Sequence, residues 1–184
     1  MTSLAPPTKK VWWKEHIEKS ELIWITVVVA WGIILTLMMP YWHVYGEQNL
    51  SSEAYRTTPQ AFMEKTQAVV DEFTVRTEGQ MNKPVVKPPI GADIYLIGRL
   101  WDWWPSYELE VNQSYRLHIT STDWQHGFSL QPANINVQVL PGYDMVMTVK
   151  PNKVGEYAIV CNEYCGIGHH NMVGKIHVVE RSAP

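Results

Sequence analysis

Three patterns of apolar and polar positions divide this chain. The first is an uncharged, predominantly apolar run over residues 22–39. As a helix rising about 1.5 Å per residue it spans about 27 Å, one hydrocarbon core of a membrane. A buried core helix or a cleaved signal peptide shares part of this pattern. A signal core is shorter and ends in small residues, whereas this run ends in Met38, Met39, Pro40, Tyr41 and Trp42. The pattern predicts a retained transmembrane helix over 22–42, stopped at Pro40 and belted by interfacial aromatics.

The second pattern is weaker. Phe62, Val69, Val70 and Phe73 recur at helical spacing within 61–73 and predict a short amphipathic helix. Asn82, Lys83, Pro84, Lys87, Pro88 and Pro89 come next, the composition of an extended linker. Residues 43–90 therefore read as a linker and helical segment, without chemistry of their own and available to pack on a partner subunit. The third pattern starts at Asp93. Short β-type runs at 93–101, 107–111, 115–121, 127–131, 135–140, 144–150, 155–161 and 175–180 alternate with turn signals such as Pro141-Gly142 and Pro151-Asn152. This spacing predicts a mainly β domain over 91–184, a sandwich or Greek-key barrel.

Charge orients the membrane run. Lys9, Lys10, Lys14 and Lys19 precede it, and Arg56 is the only lysine or arginine between it and Lys65. The positive-inside rule then makes 1–21 a cytoplasmic tail and puts the β domain on the extracytoplasmic face. Glu15, Glu18 and Glu21 stand just ahead of the run, where a solvated interfacial face is the ordinary reading. The net charge of −3 gives no sign of a nucleic-acid partner. Nine tryptophans and nine tyrosines suit membrane interfaces or aromatic electron routes.

The chemistry concentrates after the strand at 155–161. Cys161, Cys165, His169 and Met172 have the spacing C-x3-C-x3-H-x2-M, with Gly166 and Gly168 allowing a tight fold between them. Thiol, imidazole and thioether are soft or borderline donors, suited to copper rather than magnesium or calcium. Other readings stand beside this one. A disulfide is the commonest use of two cysteines outside the cytosol but leaves His169 and Met172 idle. Zinc has little use for methionine. A mononuclear blue-copper site needs one cysteine, and a thioredoxin-like C-x3-C site needs a helix that Gly166, Ile167 and Gly168 start poorly. Two thiolates bridging two coppers use every donor, and need one more histidine. His126, where the strand at 115–121 runs out into a glycine-containing loop, is the candidate.

The pattern C-x-E-x-C-G-x-x-H-x-x-M, with an upstream D-x-x-H-x-F, resembles the CuA centre of cytochrome c oxidase subunit II. Its wording looks closer to the B-type, ba3-like branch than to the mitochondrial type. The resemblance implies a cupredoxin-like β-barrel anchored by one transmembrane helix. It implies a binuclear copper site in which Cys161 and Cys165 bridge, His126 and His169 each cap one copper, and Met172 and the Glu163 carbonyl are weak axial donors. The Glu163 carboxylate is left free for the subunit interface, where mitochondrial-type members bind magnesium. His170 falls outside the pattern. The aromatic cluster Trp101, Trp103 and Trp104 lies where that family carries a ring between its docked donor and CuA, with Trp101 or Trp103 the expected residue. Glu18, beside Lys19, matches the position of a proton-channel mouth in B-type members.

For function, the resemblance implies subunit II of a heme–copper terminal oxidase in a cell membrane. The expected partners are a heme-bearing subunit I, membrane lipid, and cytochrome c or another small soluble donor. The chain carries no dense acidic run, so the donor is expected to dock through apolar contacts. Two alternatives remain: the CuA subunit of a nitric oxide reductase, and a membrane-anchored copper-transfer protein.

Overall fold

A computed structural model describes residues 16–46 and 53–181. These fall into two units, divided between Gln48 and Asn49. Lys9, Lys10, Lys14 and most of the 1–21 tail lie outside the described residues.

The first unit is one helix, α1 (Lys19–Tyr45), with no buried residue. Glu18 is its N-cap, and the Glu21 side chain accepts the Glu18 N–H at 3.1 Å, satisfying one of the donors a helix start leaves open. The hydroxyls of Thr26 and Thr36 donate to the carbonyls of Leu22 and Gly32, one turn back, at 2.7 and 2.8 Å. The two hydroxyls within the apolar run are thus satisfied inside the helix, as a lipid environment demands. The stop expected at Pro40 is not observed. Pro40 lies inside α1, which runs on to Tyr45 and ends where the Gly46 N–H meets the Trp42 carbonyl at 2.8 Å. Proline removes one donor, but the turns on either side keep theirs. The Tyr41 and Tyr45 rings, 5.1 Å apart, pack along the last turn.

The second unit is a two-sheet sandwich. Its strands are β1 (Glu53–Arg56), β2 (Thr74–Glu78), β3 (Lys83–Val86), β4 (Asp93–Arg99), β5 (Asp102–Trp104), β6 (Ser106–Glu110), β7 (Tyr115–Ser121), β8 (His126–Gln131), β9 (Ile135–Val139), β10 (Tyr143–Val149), β11 (Gly155–Cys161) and β12 (Val173–Val179). One sheet has the order β1-β10-β7-β4-β5, the other β2-β3-β6-β12-β11-β8-β9. The β4/β7 and β6/β12 pairs are parallel, so consecutive strands cross between sheets in Greek-key fashion. This is the mainly β, cupredoxin-like architecture expected, with one apolar N-terminal helix ahead of it.

Alternating side chains of both sheets meet in one core that includes Leu96, Leu117, Ile119, Phe128, Leu130, Val149, Ile159 and Val178. Tyr107 is wholly buried there. Its phenol donates to the Tyr95 carbonyl at 2.6 Å and accepts the Tyr95 N–H at 2.9 Å. Burial pushes its pKa well above the ordinary phenol value.

Much of the segment expected as linker is sandwich. β1 pairs with β10, and β3, which contains Pro84, pairs with β2 and β6. Helix α2 (Pro59–Phe73) starts two residues before the expected 61–73. Thr58 caps it by accepting the Ala61 N–H at 3.2 Å, and Pro59 takes its first turn, where a missing N–H costs nothing. Phe62, Thr66 and Val70 are its buried face, and the Phe62 ring meets Tyr95 of β4 edge-on at 5.4 Å. The run expected as one strand at 93–101 is instead a hairpin. β4 ends at Arg99, the chain turns over Leu100 and Trp101, and β5 returns with Asp102 paired to Arg99. Lys83 reaches both the Asp102 carboxylate and the Trp103 carbonyl from β3.

One ion-pair group ties β2 and the segment after β3 to β6. Glu108 accepts from Arg76, with Lys87 Nζ at 3.4 Å. The Arg76 hydrogen bond, against some opposition from burial, holds the Glu108 carboxyl below the usual carboxylate range. A depressed folded pKa gives stability that is fully present above the unfolded value of about 4.3 and lost as pH falls through the folded one. Glu108→Gln is therefore expected to cost about 0.5–1 kcal/mol at neutral pH, with the difference from wild type vanishing in acid. Urea unfolding at pH 7 and pH 3 checks this, and an equal difference at both would contradict it.

Candidate metal centre

The loop 162–171 leaves the sandwich at the end of β11 and returns at β12. Its two ends are zipped together, because the Cys161 N–H donates to the Met172 carbonyl at 3.1 Å. Gly166 turns the chain with φ +111, a region that favours glycine. A 3-10 turn (His169–Asn171) then closes the loop, with the His169 N–H on the Gly166 carbonyl at 3.1 Å.

These turns gather the soft donors. Cys161 and Cys165 are free, buried thiols with their sulfurs 3.7 Å apart, so the disulfide reading is not what the structure holds. Cys165 Sγ also lies 3.7 Å from His169 Nδ1 and 3.7 Å from the Met172 sulfur. Cys161 Sγ lies 3.2 Å from the Glu163 carbonyl oxygen. Burial pushes the Cys165 thiol up to about 11, and Cys161 beside it acts in the same direction. A cation between two sulfurs reverses that preference by favouring the thiolate.

The fifth side chain comes from the neighbouring strand. His126 opens β8, which pairs with β11 so that Phe128 stands opposite Cys161. Its ring is fully buried. Nε2 faces the Asp123 carboxylate at 2.8 Å, while Nδ1 is buried with no hydrogen-bond partner. A buried polar atom left bare is costly, and His126 forms a group with Cys161 and Cys165 in which a ring nitrogen and both sulfurs lie within 4.8 Å of one another. That nitrogen, those sulfurs and the adjoining imidazole and thioether fit a soft or borderline metal. Gly127 makes the approach possible. A Cβ there would fall 2.0 Å from Asn162 Oδ1 and 2.8 Å from the Glu163 N.

The three tryptophans separate into different roles. Trp103 is fully buried, edge-on to His126 at 6.1 Å and to Phe128 at 5.6 Å. Trp104 is half-buried under Arg99. Trp101, at the β4–β5 turn, is 41% exposed, and its indole N–H donates to the Cys165 carbonyl at 3.3 Å. Its ring occupies the space where a side chain on Gly168 would be, 2.2 Å from the position of a Cβ. Leu100, Trp124, Tyr164 and Ile167 are exposed apolar or aromatic residues on the turns around it.

The structure thus brings together His126, Cys161, Cys165, His169, Met172 and the Glu163 carbonyl, with Trp101 against them. The Glu163 residue is exposed, and among the described residues its carboxylate joins no group of three metal-ligating side chains. Glu18 belongs to the other unit, as the cap of α1. His170 is exposed. Asp123 is the first position of the D-x-x-H-x-F pattern, but the sequence alone gives it no role. It receives hydrogen bonds from His126, the Leu100 N–H and the Trp124 N–H. Burial pushes its carboxyl up, and those bonds outweigh burial and hold it below the usual range. Its one sequence signal is an acid three residues before a ligand histidine.

Comparison with known proteins bears on the family of the chain. Residues 106–179 match the family model for the periplasmic domain of cytochrome c oxidase subunit II. A cytochrome c oxidase subunit 2 of Thermus thermophilus is 40% identical over 117 residues, covering 60% of this chain and 86% of the relative. A heme-copper oxidase subunit 2 of Aeropyrum pernix is 38% identical over 65 residues, covering 34% of this chain and 28% of the relative. A chain of a heme-copper terminal oxidase dimer solved by cryo-electron microscopy superposes with TM-score 0.55 at 23% identity, covering 88% of this chain and 100% of that one.

Proposed function

The chain belongs to the cytochrome c oxidase subunit 2 family, and from that membership we propose that it accepts electrons one at a time at a binuclear CuA centre and passes them to heme in subunit I. It is a copper-binding, membrane-anchored subunit of a heme–copper oxidoreductase complex. The observation that carries the finer reading is the buried His126, whose Nδ1 has no hydrogen-bond partner and whose ring brings a nitrogen within 4.8 Å of two free thiols, themselves 3.7 Å apart.

In this reading His126, Cys161, Cys165, His169 and Met172, with the Glu163 carbonyl, hold two copper ions. When bound, the pair supplies a one-electron redox group whose charge both thiolates share. The protein's own contribution is rigidity and access. The Cys161–Met172 backbone bond and the β8/β11 pairing hold the donors in place before metal arrives. Asp123 keeps the proton of His126 on Nε2, leaving Nδ1 as a donor to metal. Burial shields the two thiols from water. Trp101 joins surface to site, since its half-exposed ring touches solvent and its N–H meets the carbonyl of a ligand cysteine. Trp101 is therefore the electron-accepting ring, Trp103 the support behind His126, and Trp104 a flank of the turn.

The donor is a small soluble protein such as cytochrome c, docking on the apolar rim. The wholly exposed, apolar α1 sits in lipid beside subunit I, with the lysine-rich tail cytoplasmic and the copper domain outside. Glu18 is placed at the cytoplasmic mouth of a proton path, and Glu163 is the contact for any magnesium at the subunit interface. These two assignments rest on the family resemblance.

The purified complex tests the reading. It is expected to contain two coppers in this chain, with one electron spin shared over both nuclei, and to consume oxygen with reduced cytochrome c. One copper per chain, or copper that passes freely to an apo-acceptor, would refute it. Consumption of nitric oxide without oxygen would assign the complex to the nitric oxide reductase branch.

A further inference from the structure

We propose that Asp123 is a positioning residue which ties the metal-binding His126 and the exposed Leu100-Trp101 turn to a single carboxylate. Its two oxygens divide the work. Oδ1 accepts from His126 Nε2 at 2.8 Å and from the Trp124 N–H at 2.6 Å, with the Ser121 hydroxyl at 3.2 Å. Oδ2 accepts the Leu100 N–H at 2.7 Å. The carboxylate is itself held, because the Asp123 N–H donates to Ser121 Oγ at 3.2 Å.

Both ends of this arrangement reach the metal donors. Through Oδ1 the carboxylate fixes which His126 nitrogen carries the proton and so leaves Nδ1, which has no hydrogen-bond partner, free of it. Through Oδ2 it anchors the residue next to Trp101, whose indole N–H meets the Cys165 carbonyl at 3.3 Å. The turn carries no glycine or proline between Arg99 and Asp102 to fix its shape. Its position is set from outside, by the Asp123 and Cys165 contacts on one side and by Lys83 on Asp102 and the Trp103 carbonyl on the other. A shift of Leu100 and Trp101 thus pulls on the same carboxylate that orients His126.

The division between oxygens makes the two functions separable. Asparagine keeps one acceptor oxygen. If that oxygen serves His126 and Trp124, the amide NH2 faces the Leu100 N–H, donor against donor. Asp123→Asn is then expected to preserve the His126 tautomer and release the turn. Asp123→Ala removes both arms.

The test uses the copper-free full chain in detergent, with histidine and tryptophan ring nitrogens followed by NMR. Wild type is expected to carry the His126 proton on Nε2. In Asp123→Asn the tautomer should stay, while hydrogen exchange at the Leu100 amide and the Trp101 indole speeds up by about 10-fold or more. In Asp123→Ala the exchange should rise equally and the proton spread over both His126 nitrogens. Should the alanine chain not fold, the near-isosteric asparagine chain decides alone. Unchanged Leu100 and Trp101 exchange in the asparagine chain would overturn the proposal, as would an unchanged tautomer in a folded alanine chain.

The copper-loaded complex adds a kinetic arm, which rests on the Trp101 reading above. Asp123→Asn should keep copper content and spectrum while electron uptake slows. Faster exchange with unchanged uptake would sink the role of Trp101 and still support that of Asp123.

Discussion

Serine in place of Cys165 is expected to abolish the two-copper site while leaving the chain folded. The argument rests on the position of this sulfur. It lies 3.7 Å from each of three other donors, Cys161 Sγ, His169 Nδ1 and the Met172 sulfur. No other side chain in the loop has that centrality. A serine hydroxyl is a hard, weakly acidic donor that neither bridges two soft ions nor ionises near neutral pH. The fold loses little by comparison, since the oxygen is smaller than sulfur and its unpaired burial costs about 1–3 kcal/mol. Copper analysis, the visible spectrum and a denaturant titration on one preparation check this. Two coppers bound with a wild-type spectrum would remove Cys165 from the site.

The second large effect separates the two tryptophans nearest the metal donors. Trp101→Leu is expected to slow electron uptake by about 10-fold or more, as loss of a contact just outside the ligands does. Because the ring is half exposed, stability should change by only about 1 kcal/mol. Trp103→Ala should do the reverse in its primary effect. A fully buried indole between the sheets leaves a cavity worth about 3–5 kcal/mol. Any loss of electron uptake there should track the fraction of chain unfolded. Stopped-flow reduction of the complex and urea unfolding distinguish the two patterns. Equal stability losses with unchanged uptake in both would make the whole cluster structural.

How much of the fold and site is legible in the sequence depends on where each signal lies. The strands at 115–121 and 155–161 are read to the residue because β-branched and aromatic positions alternate between clear turn signals. The β4–β5 hairpin is not, because Leu100 and Trp101 turn the chain with apolar residues and a shape imposed by Asp123 and Lys83. Pro40 reads as a helix end, yet one missing donor does not end a helix whose other turns are intact. β3 hides inside a proline-rich stretch, and its parallel pairing with β6 is a long-range contact that no local pattern reports. The metal donors are legible because four of them fall within twelve consecutive positions, 161–172. Asp123 is not, because its bond to Leu100 spans 23 residues of sequence.

The seat of Trp103 has a consequence for how such a chain can drift. A Cβ on Gly98 would come 2.9 Å from the Trp103 ring, and one on Gly174 would come 2.7 Å from its Cβ. These glycines lie on β4 and β12, one in each sheet. Any side chain at either position must push on the tryptophan, and the tryptophan rests against His126. A smaller residue at 103 would open space beside Gly98, while any residue with a Cβ there would still crowd Gly174. The three positions therefore make one inherited unit. Single replacements pass through a strained or hollow intermediate, and a lineage that keeps the indole keeps both glycines with it.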